Sequence, residues 1–277
     1  RPLATLEREG KITLSIAPFT NGYITLDTIK NVQRDDTHLV VMTHGSNVLG
    51  TIQDIGTIGE YLRSQGIFFI VDGAQTAGHI PINLSSLPVD VYAFTGHKAL
   101  FGLPGIGGFY IKRPELVDHI KQGGTGVDSL NLLQNEEMPF KFEAGTHNYP
   151  GIASLYAGIQ YLQRNDLSQL EKETMEMIRI LIHELRKERA IIIYNENPDL
   201  PIVAFSVEGL SSEDVGFILA RMYSIISRTG LHCAPLVHKR ITDGKGCVRL
   251  SLSCLNTMDQ CKVVSDAIRE VVRGASC

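Results

Sequence analysis

The chain has 277 residues, 43% hydrophobic and 20% charged, with a net charge of -4. That length suits a large core in two lobes, while the mild acidity argues against a basic nucleic-acid surface, and no apolar run approaches the roughly 20 residues that cross a bilayer. The cysteines are odd in number and scattered, at Cys233, Cys247, Cys254, Cys261 and Cys277, without paired metal spacing; this argues against a disulfide framework or a zinc site and for a reducing cytosol.

The opening R-P-L-A-T-L-E-R-E-G reads as the end of a helix. Residues 11–16 (K-I-T-L-S-I) alternate like a strand, 26–32 form a short helix, and 33–38 are a polar connection. Residues 39–42 (L-V-V-M) are a continuous apolar run ending at Thr43, His44, Gly45, Ser46 and Asn47. In 51–65, Ile55, Ile58 and Leu62 share one helical face, with Asp54 as N-cap and Gly66 as stop. Residues 67–71 (I-F-F-I-V) form a second buried strand ending at Asp72, Gly73, Ala74 and Gln75, which implies a right-handed parallel crossover.

Residues 81–88 connect to a third strand, 89–94, followed by Thr95, Gly96, His97 and Lys98. A glycine-rich return spans 102–108, supplying flexible or positive-φ positions, and 107–111 is an antiparallel strand. Residues 121–137 lack periodicity; their G-G-T-G lacks P-loop spacing, which argues against a nucleotide site. Helices follow at 152–163 and 167–188. The last lobe reads strand (191–194), strand (202–207), helix (212–223), strand (224–228), strand (248–253) and helix (259–272). Ser211 with Asp214, and Thr257 with Gln260, have capping-box spacing. The fold class is α/β, a mostly parallel sheet sandwiched by helices (residues 1–150), with a smaller C-terminal α+β domain (151–277).

Three buried strands thus deliver polar groups at their C-terminal ends, the edge where open α/β sheets bind ligands. A lysine just past a buried strand is unusual, because burying an ammonium is costly, and one that loses its proton readily suits Schiff-base chemistry. A lysine, a carboxylate, an amide and histidines at this edge are the groups that pyridoxal phosphate requires. Each also has a plainer role: Lys98 as a loop lysine, Asp72 as a turn cap, Gln75 as a surface amide, and Thr95 with His97 as a capped turn.

The motifs V-D-G-A-Q-T-A-G-H and F-T-G-H-K-A-L-F-G-L-P-G-I-G, with T-H-G-S-N-V-L-G, F-E-A-G-T-H-N and R-T-G-L-H-C-A-P, resemble the class V aminotransferase family across nearly the whole chain. The resemblance is to its cysteine desulfurase and selenocysteine lyase branch. It implies that Lys98 carries pyridoxal 5'-phosphate and moves the substrate Cα proton, that Asp72 keeps the pyridinium nitrogen protonated, and that Gln75 donates to the phenolate oxygen. Thr95 and His97 would bind the phosphate, and Thr146 would reach the phosphate of a neighbouring subunit in a homodimer. His147 stands where the family more often has proline.

Cys233 matches the persulfide-forming nucleophile, and Leu231 replaces a histidine common in its motif. Outside that context Cys233 would be a small inert thiol. Arg249 matches the arginine that pairs the substrate carboxylate, with Asn47 and Arg228 beside it; structurally it reads as a strand arginine bridging to an acid. The implied reaction converts L-cysteine to L-alanine, with sulfur passed to an acceptor protein in the cytoplasm. Alternatives are a selenocysteine lyase acting on L-selenocysteine, a more distant epimerase or aminotransferase, and a non-catalytic fragment that keeps the fold and dimer surface. The last draws on one departure: family members carry a preceding segment, with a glycine/threonine phosphate-binding turn and a ring that stacks on the cofactor, without counterpart here. The expectation is therefore a fragment, a processed chain or a truncated form.

Overall fold

The computed structural model describes residues 1–124, 126–127 and 130–275. Thr125 of the G-G-T-G stretch and Cys277 lie outside them.

The first lobe begins with α1 (Pro2–Arg8) and α2 (Leu26–Val32), the latter capped by the Thr25 hydroxyl accepting from the Thr28 N–H. Its sheet comprises β1 (Leu39–Thr43), β2 (Phe68–Asp72), β3 (Val91–Thr95) and β4 (Gly107–Ile111), in that spatial order. The first two pairings are parallel and β3–β4 is antiparallel. Between β1 and β2 runs α3 (Ile55–Ser64), which Asp54 caps by accepting from the Thr57 N–H at 2.9 Å. Its apolar stripe of Ile55, Ile58 and Leu62 packs on Met42, Phe69, Val71 and Tyr92, as strand and helix periodicities facing one another require. On the opposite face Leu39, Val41 and Phe109 stay exposed.

The second lobe follows α4 (Tyr149–Arg164) and α5 (Leu167–Leu185). Its strands β5 (Ile191–Ile193), β6 (Ile202–Val207), β7 (Arg228–Gly230) and β8 (Cys247–Ser251) form an antiparallel sheet in the order β5-β6-β8-β7. Against it pack α5, α6 (Ser212–Tyr223) and α8 (Met258–Ala275), burying Ile178, Leu181, Leu185, Leu219 and Ile268 around Phe205. A seven-residue α7 (Pro235–Ile241) joins β7 to β8. Among the described residues, no helix is long and apolar enough to cross a membrane, and Cys233, Cys247, Cys254 and Cys261 are free thiols.

Three local expectations are corrected. Residues 11–16 form no strand: their backbone is met by side chains, with Arg34 donating to the Thr13 carbonyl and Leu14 N–H donating to the Glu7 carboxylate. The strand expected at 224–228 begins only at Arg228, because Ser224 takes a left-handed turn (φ 56°) off α6 and pairing with β8 starts at Arg228↔Arg249. Helix α3 starts at Ile55, directly after the expected N-cap Asp54, and 51–53 ahead of it fold back on His44 and Ser46. Within 102–108, only Gly105 has positive φ; Gly107 is needed for space instead, as a Cβ there would lie 2.7 Å from the Phe94 carbonyl.

Candidate active site

The parallel register sets the site. Thr43 pairs with Asp72 and Asp72 with Ala93, so β1 and β2 end level, β3 runs two residues further to Thr95, and the turns that follow share one edge of the sheet. Asp72 is exposed at the end of β2, with Ala74 N–H donating to its Oδ1 at 2.9 Å. Gln75 is half-buried in the next turn. Gly73 lets this turn pass Tyr92, because a Cβ there would fall 2.1 Å from the Tyr92 ring. The Tyr92 hydroxyl contacts His44 Nδ1 at 3.0 Å and Thr76 Oγ1 at 2.7 Å, a buried polar floor beneath the sheet edge. Burial depresses His44 to about 4 and raises Tyr92 to about 12, so both stay neutral near pH 7.

Beyond β3, the Thr95 hydroxyl and His97 Nδ1 lie 2.7 Å apart. Lys98 follows on the turn, exposed as a residue but with its ammonium partly desolvated. That desolvation is the largest influence and holds its pKa below the ordinary lysine range; Asp72 and Cys233 oppose the shift and Arg249 adds to it. Three sequence-distant groups therefore share one electrostatic neighbourhood with Lys98. His79 joins them, depressed to about 4 by burial and then by Lys98. Sequence reasoning assigned no role to His79, although it closes the V-D-G-A-Q-T-A-G-H motif.

The second lobe supplies the opposite wall. Arg249 on β8 donates from Nη1 to the Asn47 carbonyl at 2.9 Å, and Asn47 Nδ2 donates to the His232 carbonyl at 2.6 Å. Arg228 sits across from Arg249 in the β7–β8 register. Burial, followed by the Arg228 charge, lowers the Arg249 pKa, and its Nε is buried with no partner. An unsatisfied guanidinium N–H is costly, and it suits an anionic ligand. Cys233 is exposed, with φ of 60°, on the loop after β7. Thr146 stands outside this network, exposed in the loop ahead of α4.

Together the groups offer a nucleophilic amine, a carboxylate, a hydroxyl–imidazole pair, a guanidinium with a free buried Nε and an exposed thiol. This donor set fits pyridoxal phosphate: an amine for its aldehyde, an acid for its ring nitrogen and hydroxyl and imidazole groups for its phosphate.

The chain matches the aminotransferase class-V family over residues 1–264. It is 30% identical over 277 residues to a probable cysteine desulfurase of Methanothermobacter thermautotrophicus, covering 98% of this chain and 69% of that protein. A cysteine desulfurase of Salmonella agona is 34% identical over 237 residues, covering 83% of this chain and 58% of the relative. The apo structure of a cysteine desulfurase from Thermococcus onnurineus aligns with a TM-score of 0.90 at 30% identity, covering 99% of this chain and 69% of the other. The chain thus spans between 58% and 69% of the length of these three proteins.

Proposed function

Since the chain belongs to the class V aminotransferase family, we propose that it carries the active site of a pyridoxal-phosphate-dependent cysteine desulfurase, converting L-cysteine to L-alanine. The observation that carries this reading is the shared neighbourhood of Lys98 and Asp72, at the edge of the first sheet, with Cys233 and Arg249 of the second lobe. The relatives named cysteine desulfurase support the same choice of substrate.

Bound there, pyridoxal phosphate would hold the substrate amine and withdraw electrons from its Cα. Lys98, Asp72, Gln75, Thr95 and His97 would hold it. Lys98, deprotonated more readily than a surface lysine, takes the Cα proton and later returns a proton to carbon. Arg249 receives the substrate carboxylate on the guanidinium edge that includes its free Nε, with Asn47 and Arg228 alongside. The Cys233 thiolate attacks the substrate sulfur. An S–S bond forms as the Cβ–S bond breaks, the electron pair of that bond returns to carbon, and protonation yields alanine. Sulfur remains on Cys233 as a persulfide for an acceptor protein. The same proposal divides the chain at residues 149–150, assigns Thr146 to a neighbouring subunit's phosphate in a homodimer, and places the enzyme in the cytoplasm.

The deciding experiment is an absorption titration with pyridoxal phosphate, followed by borohydride reduction and peptide mapping. The expected result is one adduct, on Lys98, and none on that peptide in Lys98→Ala. Cys233→Ala should retain the adduct and lose sulfur transfer from L-cysteine. An adduct on another lysine, or normal sulfide release by the Cys233 variant, would overturn the assignment. Comparing L-selenocysteine in the same variant separates a lyase, in which selenium leaves with less need of the thiol.

A further inference from the structure

Behind the Cys233 loop lies a second polar cluster that the desulfurase chemistry does not use. His232, His238 and Cys247 are all buried, and their ligand-capable atoms lie within 4.8 Å of one another. The β7–β8 register brings them together: Gly230 pairs with Cys247, and the loop after Gly230 carries His232 back over the strand. Helix α7 supplies His238 from the other side.

The hydrogen-bond partners constrain where the ring protons lie. His232 Nε2 is 3.1 Å from the Arg228 carbonyl, which only accepts, so Nε2 donates and Nδ1 keeps its lone pair. The Thr242 hydroxyl lies 3.0 Å from the His238 carbonyl and accepts from Gly246 N–H at 3.1 Å. That carbonyl already accepts from the Thr242 and Gly244 N–H groups at 2.9 and 3.0 Å, so the hydroxyl proton is free to turn to His238 Nδ1 at 3.3 Å. His238 Nε2 then donates to His232 Nδ1 at 3.0 Å, and a metal ion would take the place of that proton, drawing a lone pair from each ring. The outer contacts to the Arg228 carbonyl and Thr242 hydroxyl have the form of the outer-shell bonds that orient metal-ligating histidines.

From this convergence we propose that His232 Nδ1, His238 Nε2 and Cys247 Sγ form a binding site for a divalent transition-metal ion of the zinc class, with water or an anion in the fourth position. Two imidazoles and one thiolate are a suitable ligand set for that ion. On binding, the metal–sulfur bond replaces the S–H bond and the proton passes to solvent; no redox change is involved. Burial pushes the Cys247 thiol up to about 12 and Arg249 offsets this only in part, so the metal itself must displace the thiol proton. The cysteine spacing argued against a zinc site, and that expectation is revised here: two histidines and one cysteine assemble from three elements, a set that cysteine spacing alone does not reveal.

The test is titration of the reduced full chain with Co2+, a zinc surrogate whose ligand-field absorption in the red reports tetrahedral coordination. Affinity for Zn2+ is measured alongside by competition with a chromophoric chelator. One equivalent should bind with the tetrahedral spectrum. Cys247→Ala should abolish that spectrum, and His238→Gln should weaken Zn2+ binding by at least the roughly tenfold that loss of even an outer-shell partner costs. Cys233→Ala should leave both readouts intact. No tetrahedral spectrum in folded protein, one that survives Cys247→Ala, or one that vanishes in Cys233→Ala would each overturn the site. If Cys247→Ala does not fold, unchanged Zn2+ affinity in His238→Gln overturns it equally, and the expected weakening supports it.

Discussion

Arg249 couples a charged group to a geometric demand. One of its nitrogens is engaged by the Asn47 carbonyl, which fixes the guanidinium plane, and Nε remains buried and free. A lysine keeps the charge but not the planar fork. Arg249→Lys should therefore raise KM for L-cysteine by roughly ten- to a hundredfold, since hydrogen bonds to charged groups contribute about 1.5–3 kcal/mol, with a smaller change in kcat. Steady-state kinetics of the two proteins check this. The buried histidines make a separate prediction. His44, His79 and His232 are held at about 4, below their ordinary 6.5. The unfolded chain then binds more protons than the folded one between those values, so their contribution is full above about pH 6.5 and is lost as pH falls towards about 4. Urea midpoints measured across that window should fall with acidification, and His44→Gln should flatten the slope.

At the scale of elements, much of the first sheet is legible because its signals are local. The apolar runs of β1 and β2 end at their polar turns, and Asp54 caps α3 as its spacing announces. Asp54→Ala should cost about 1 kcal/mol, lowering Tm by roughly 2–4 °C in a thermal melt. Gly73 is a packing glycine: Gly73→Ala drives a methyl into the Tyr92 ring and should cost about 1–3 kcal/mol, with reduced retention of pyridoxal phosphate because the Asp72 turn must shift. What was not legible depended on partners distant in the chain. Residues 11–16 alternate as a strand does, yet pairing needs a neighbouring edge. Helix α7 escaped because it is seven residues long and its N-cap, Ala234, makes no side-chain bond. Lys98, Asp72, Arg249 and Cys233 could each be named from motifs, but not the free Nε of Arg249 or the contact of His232 with His238, which exist only once β7 and β8 are in register.

For the whole molecule, the two lobes meet through a small mixed core and a few polar ties. Val48 and Leu49 from the first lobe pack with Ala204 and Cys247 from the second. Asp199 accepts from the Tyr23 hydroxyl at 2.8 Å and the Ile52 N–H at 2.9 Å, and its effect on Tyr23, after burial, is to help raise that phenol to about 12. Asp199→Ala strands both donors and should cost about 1–3 kcal/mol, read as a lower urea midpoint and faster proteolysis between the lobes.

The contacts among Arg249, Asn47 and the His232 carbonyl have a mechanical consequence. They run from β8 through the T-H-G-S-N turn of the first sheet and back to the thiol loop. Asn47 is therefore a strut between Arg249, the proposed carboxylate anchor, and the peptide beside Cys233, the proposed nucleophile, while Lys98 stands on a separate turn. Because Asn47 follows a strand of the same sheet as Lys98, this strut holds anchor and thiol loop to the lobe that carries the lysine, and any rocking of the lobes has to break it.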